Sequence, residues 1–148
     1  MYKNILVAID DSETSRSALK EALHIAKASN AKLYITHVVD ETLLSMHGRT
    51  VSTSADFDNA IAALSDAGRQ LLGDAMKSAT EVNAEPLLLE ALNRRVSETI
   101  ADKAGELDID LIVIGRHGRR GLATLILGSV AEQLAKIASA SVLLVRKH

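Results

Sequence analysis

The chain has 148 residues, 47% of them hydrophobic but only 2% aromatic, and a formal net charge of −2. That balance excludes a general pull toward nucleic acid or an anionic membrane surface, and the near-absence of aromatic side chains removes stacking platforms for single-stranded bases. There is no cysteine, so disulfides, thiolate metal sites and thiol nucleophiles are excluded together.

The first element is the aliphatic run Ile5 to Ile9. It does not alternate with polar residues, which predicts a strand buried on both faces, as in a parallel sheet. Asp10-Asp11-Ser12 breaks the run and offers helix caps. From Ser15 the apolar residues Ala18, Leu19, Ala22, Leu23 and Ala26 recur with the helical period. Leu33 to Val39 reads as the second strand. Residues 40–59 are mixed and polar, which predicts a surface loop with room for a short helix. A long helix is expected from Phe57 to Val82, weakened locally by Gly68 and Gly73.

Leu87 to Leu89 predicts a short third strand, with Pro86 at its start, where a missing ladder donor does least harm. Val96 to Glu106 reads as a helix and "IDLIVIG" as the fourth strand. A glycine-rich stretch follows, then a helix over Ser129 to Ala138 and a last strand, "SVLLVR". Strict β/α alternation with non-alternating aliphatic strands indicates an open parallel α/β sheet in one domain spanning 1–148. There is no linker, repeat or low-complexity tract. The N-terminus lacks the apolar core and cleavage site of a signal peptide, and no apolar run approaches the ~20 residues of a membrane span. The expected location is the cytoplasm.

Open parallel sheets bind ligands beyond the carboxyl ends of their strands, where the strand order reverses. The stretch "GRHGRRGLATLILGS", Gly115 to Ser129, lies on that edge and leads into a helix. Free N–H groups at a helix start attract anions. Glycines let backbone come close to a phosphate, and Arg116, His117, Arg119 and Arg120 add charge-assisted donors. The competing reading is structural: Ser129-Val-Ala-Glu132 fits a capping box, and glycines serve ordinary turns. Spacing by itself leaves the two open. No G-x-x-x-x-G-K-[ST] is present, and G-x-x-G-x-x-G after a late strand is not a dinucleotide fingerprint.

Gly115-x-x-Gly118, nine residues, then Gly128-Ser129 resembles the G-2x-G-9x-G-[ST] pattern of ATP-binding members of the universal stress protein family. "YKNILVAIDDSETSRSALKEAL" is similar to that family's first strand and helix, "LYITHVVDE" to its second strand and "ASASVLLVR" to its last. The resemblance implies a Rossmann-like fold of the adenine nucleotide alpha hydrolase type: a five-stranded parallel sheet of order 3-2-1-4-5 with helices on both faces. It implies that Ala8, Asp10 and Val38 meet the adenosine end of ATP, AMP or ADP, and that Ile114, Gly115 and Gly118 shape the ribose and phosphate loop. Gly128, Ser129 and Val130 would meet the phosphates, with Mg²⁺ shared among them. Ala8 stands where some nucleotide-binding relatives have proline. The family's habit of pairing through its last strand implies a homodimer through residues 141–146.

Other residues carry less. Asp10-Asp11 and Lys147 suggest a response-regulator receiver, but no Asp ends the third strand. His24, His37, His47, His117 and His148 lack metal-ligand spacing; His37 reads as packing or local hydrogen bonding. Arg94 and Arg95 read as a solvated face. No nucleophile–base–orienter set is visible, so no catalytic residue is assigned. Three readings follow: a stress-response regulator switched by adenine nucleotide, with at most slow hydrolysis and an unidentified regulatory protein partner; an ATPase or phosphotransferase using Asp10 to hold Mg²⁺; or a partner-binding module that needs no nucleotide.

Overall fold

The computed structural model describes residues 1–42, 54–116 and 128–147. Within them the chain runs β1 (Asn4–Ala8), α1 (Glu13–Ser29), β2 (Lys32–Val39), α2 (Ser54–Met76), β3 (Asn83–Glu90), α3 (Val96–Glu106), β4 (Leu111–Gly115), α4 (Ser129–Ile137) and β5 (Ser141–Val145). The strands form one parallel sheet in the order β3-β2-β1-β4-β5. No helix among the described residues is long and apolar enough to cross a membrane.

The aliphatic runs make sense on this sheet because successive side chains enter opposite cores. Ile5, Val7, Leu33, Ile35, Leu111 and Val113 face α1 and α2. Leu6, Tyr34, Ile112 and Ile114 face α3 and α4. Each fully buried aliphatic side chain contributes about 1.5–3 kcal/mol by leaving water. The stripe Ala18, Ala22 and Ala26 is small, which lets α1 lie close over the centre of the sheet. At the amino edge, the Asp110 carboxylate accepts the N–H groups of Lys3 (2.8 Å) and Asn4 (3.2 Å), fastening β1 to the start of β4.

Three expectations need correction. The third strand is Asn83–Glu90, not a three-residue run, and Pro86 lies in its middle, opposite Ile35. The strand is tolerated there because β3 is an edge, so proline's missing N–H need not meet a second neighbour. Residues 54–56, read as loop, open α2, while residues 43–53 lie outside the described residues. The same helix ends at Met76 rather than Val82: Lys77, Ser78 and Ala79 bond three residues back, and the Ser78 hydroxyl donates to the Ala75 carbonyl at 2.7 Å.

Gly68 is also more than a weak point in a helix. A Cβ there would stand 2.8 Å from both His37 Cδ2 and Leu88 Cδ1, whereas one at Gly73 would meet nothing within 4 Å. The His37 ring cannot yield freely, because its Nδ1 is hydrogen-bonded to the Ile9 carbonyl at 2.8 Å. Gly73→Ala should therefore gain up to about 1 kcal/mol from helix propensity. Gly68→Ala should lose about 1 kcal/mol or more, because overpacking outweighs the same propensity gain. Urea unfolding of the two variants checks the opposite signs.

Candidate functional site

β1 lies between β2 and β4, and the helices that leave β1 and β4 take opposite faces of the sheet. The reversal opens a crevice at the carboxyl ends of these two strands. Their register sets Ala8 beside Ile114. Ala8, Val38, Ile114 and Val130 all belong to the α3/α4 face. Ala8 and Val38 are half-buried at the edge of that face, and Ile114 is nearly covered. Thr36, which pairs with Ala8 and precedes Val38 by two residues, is fully buried. The result is an aliphatic floor at the strand ends.

The start of α4 hangs from the end of β4. Arg116 donates its N–H to the Val145 carbonyl, and its own carbonyl accepts the Gly128 N–H, both at 2.8 Å. Gly128 is the helix cap, with φ −62° and ψ 147°, and provides no side-chain cap bond. The capping box weighed at Ser129 as the competing reading does not form, since Gly128 takes the cap position. Ser129 is already the first helical residue and is exposed. Glu132 donates to the Gly128 carbonyl at 2.9 Å, so the N–H groups of residues 129–131 have no partner within the helix. These amides and the positive end of the helix dipole stand at the switch point. The Gly128 N–H itself is occupied by Arg116, so the donors left for an anion begin at Ser129.

The turn after β1 is organised differently. Asp10 Oδ1 accepts the Ser12 N–H (2.8 Å), the Asp10 N–H donates to Ser15 Oγ (2.8 Å), and the Ser15 N–H donates to Ser12 Oγ (3.2 Å). Of the three residues Asp10, Asp11 and Ser12, it is therefore Ser12 that caps α1. The Asp11 carbonyl accepts from Arg16 Nη1 at 3.4 Å. The Lys147 ammonium pairs with Glu13 at 2.5 Å, which holds the Glu13 carboxyl below its ordinary range and ties the end of the chain to α1.

A family model described as the universal stress protein family matches residues 1–146. The chain belongs to the universal stress protein family. The universal stress protein YxiE of Bacillus subtilis (strain 168) is 32% identical over 149 residues, covering 99% of this chain and 100% of its own. Among solved structures, universal stress protein UspA from Lactobacillus plantarum matches with a TM-score of 0.78 at 27% identity, over 98% of each chain. A universal stress protein in complex with cAMP matches with a TM-score of 0.66 at 26% identity, over 99% of this chain and 98% of that one.

In this universal stress protein the fold brings Ala8, Asp10, Val38, Ile114, Gly115, Arg116, Gly128, Ser129 and Val130 to one end of the sheet. His117 and Gly118, with Arg119 and Arg120, lie outside the described residues. Arg94 is committed elsewhere: it pairs with Asp102 at 2.6 Å, which raises its pKa further, and reaches Glu98 at 3.6 Å. Among the described residues no group of three or more His, Asp or Glu is arranged to hold a metal ion. The start of α3, at Arg95, also lacks a side-chain cap bond, but it follows edge strand β3 and so lies away from the switch point between β1 and β4.

Sequence reasoning missed Thr14. A Cβ on Gly115 would stand 2.8 Å from Thr14 Oγ1 and 3.0 Å from the Thr14 carbonyl carbon and Cβ. The missing side chain at Gly115 thus lets the first turn of α1 dock on β4. Gly115→Ala should lose about 1–3 kcal/mol of stability by pushing the helix away from the strand. Chemical denaturation of that variant checks this.

Proposed function

We propose that this universal stress protein binds an adenine nucleotide, with ATP as the first candidate and ADP or AMP as others. It would act as a nucleotide-dependent switch in a stress response. The observation that carries the reading is the start of α4: a glycine-capped helix end, held by one hydrogen bond at the end of β4, beside the aliphatic floor of Ala8, Val38 and Ile114. A helix start of this kind favours phosphate. The floor suits the flat apolar faces of a base, which in a chain with 2% aromatic residues must be met by aliphatic groups. The relative solved with cAMP, itself an adenine nucleotide, supports the same ligand class.

In this reading Ala8, Asp10 and Val38 meet the adenosine, and Ile114, Gly115 and Gly118 border the ribose. The N–H groups of Ser129 and Val130, the Ser129 hydroxyl, Arg116 and His117 take the phosphates, with Gly128 leaving them room. Mg²⁺ would neutralise the triphosphate and be held mainly by its oxygens, since Asp10 Oδ1 already accepts the Ser12 N–H. Hydrolysis is expected to be slow, because no base has been assigned to activate water.

Gly128→Val is the direct test. The Gly128 backbone conformation, φ −62°, is open to any residue, so the variant should fold and only lose the space above the helix start. Titration calorimetry with Mg-ATP should show binding to the parent chain and a loss of about tenfold or more in the variant. Equal affinities would refute the seat.

A homodimer through residues 141–146 is the second part of the proposal. The two sheet edges differ. β3 is blunted by Pro86 and by Glu85, which pairs with Lys32 at 2.9 Å. β5 presents half-buried Val142, Leu143 and Leu144 and has no charged residue within the strand. An unblunted edge invites pairing with a second copy. Light scattering at micromolar protein should give twice the chain mass, and an added proline at Leu143 should return the monomer.

A further inference from the structure

The connection between β3 and α3 has a conformation that its sequence disfavours. Leu92 has φ 51° and Asn93 φ 66°, and the Arg94 N–H bonds the Ala91 carbonyl at 3.0 Å. Two consecutive left-handed residues closed by that bond form a type I′ turn, whose central positions belong to Gly, Asn and Asp. Asn93 obeys the preference and Leu92 does not. Burial does not compensate, since Leu92 is 66% exposed.

The turn is held firmly from behind. Ala91 is buried and donates its N–H to the Val39 carbonyl at 3.0 Å. The Asn93 N–H donates to the Glu41 carboxylate. Both bonds strap the turn to the end of β2, the strand that carries Val38. Across β2 and β3, Val38 pairs with Leu89, three residues before Leu92. The fold therefore displays an exposed aliphatic side chain on a hydrogen-bonded turn beside the end of β2, the strand that carries Val38.

We infer that Leu92 closes the adenine end of the nucleotide site by packing against the face of the bound base. This rests on the nucleotide reading above and extends it to a turn that the glycine pattern does not touch. Backbone strain of this kind persists where the surrounding structure enforces it, and it clusters at ligand clamps. The aliphatic floor and Leu92 then stand on two sides of one flat ligand, while the phosphates lie toward α4. Leu92 would bias the site toward a large base, because a purine offers it more face than a pyrimidine.

The test compares Leu92→Asn, Leu92→Met and the parent chain by calorimetry with Mg-ATP and by thermal melting. Asn fits the left-handed region, so L92N should melt at or above the parent temperature. It should nonetheless bind ATP about fivefold or more weakly, the loss expected for some 40 Å² of apolar contact. L92M keeps an apolar side chain and should retain the parent's ATP affinity. Equal ATP affinity in L92N and the parent would overturn the role of Leu92 and leave the nucleotide site standing. A lower melting temperature in L92N would make the leucine a packing residue and also overturn it. A parent chain that takes up no ATP would overturn the nucleotide reading and this inference together.

Discussion

The central strands β1 and β4 are covered on both faces, and the other features follow from that double burial. Ile5, Val7, Leu111 and Val113 need one apolar layer, and Leu6, Ile112 and Ile114 need another. A parallel sheet meets both needs only with helices on each side. The chain must then leave β1 toward one face and β4 toward the other. A crevice between two neighbouring strand ends is the geometric consequence.

The two helices that begin at this crevice are finished in contrasting ways. α1 is closed by its own polar groups: Ser12 caps it, Asp10 and Ser15 complete the turn, and Glu13 places negative charge in the first turn. α4 begins on a glycine that supplies no side-chain bond. Helix ends leave several amides unpaired unless a side chain, water or a ligand satisfies them. The asymmetry assigns an anion, in our reading, to one helix start and not the other. Gly115 contributes to it indirectly, since its bare Cα lets the capped start of α1 sit against β4.

A similar contrast marks the rim and the sheet edges. Among the described residues, exposed ion pairs such as Arg69 with Asp66 and Lys77 with Asp74 contribute little to stability. Among the described residues, a leucine in a left-handed turn carries backbone strain, and β5 is an aliphatic edge strand. Such features point to ligands or partners, which the proposals for Leu92 and β5 supply.

The amino-acid sequence determined the α/β alternation and the parallel sheet, because aliphatic runs and helical periods are local patterns. Glycine spacing and terminal segments were enough to recognise the family, whereas His37, read as packing or local hydrogen bonding, bonds the Ile9 carbonyl of a neighbouring segment. Contacts between distant segments were not legible. Pro86 looked like the start of a strand because an edge position is a property of the sheet, not of the residue. Ser129 looked like a cap because S-x-x-E describes side chains that can meet, while Gly128, anchored to Arg116, takes the cap position in three dimensions. The reason for glycine at 115 is Thr14, far earlier in the chain, and the strain at Leu92 is a backbone angle that no composition reveals. Local pattern chose the elements, and only packing between them decided which polar groups were satisfied within the chain.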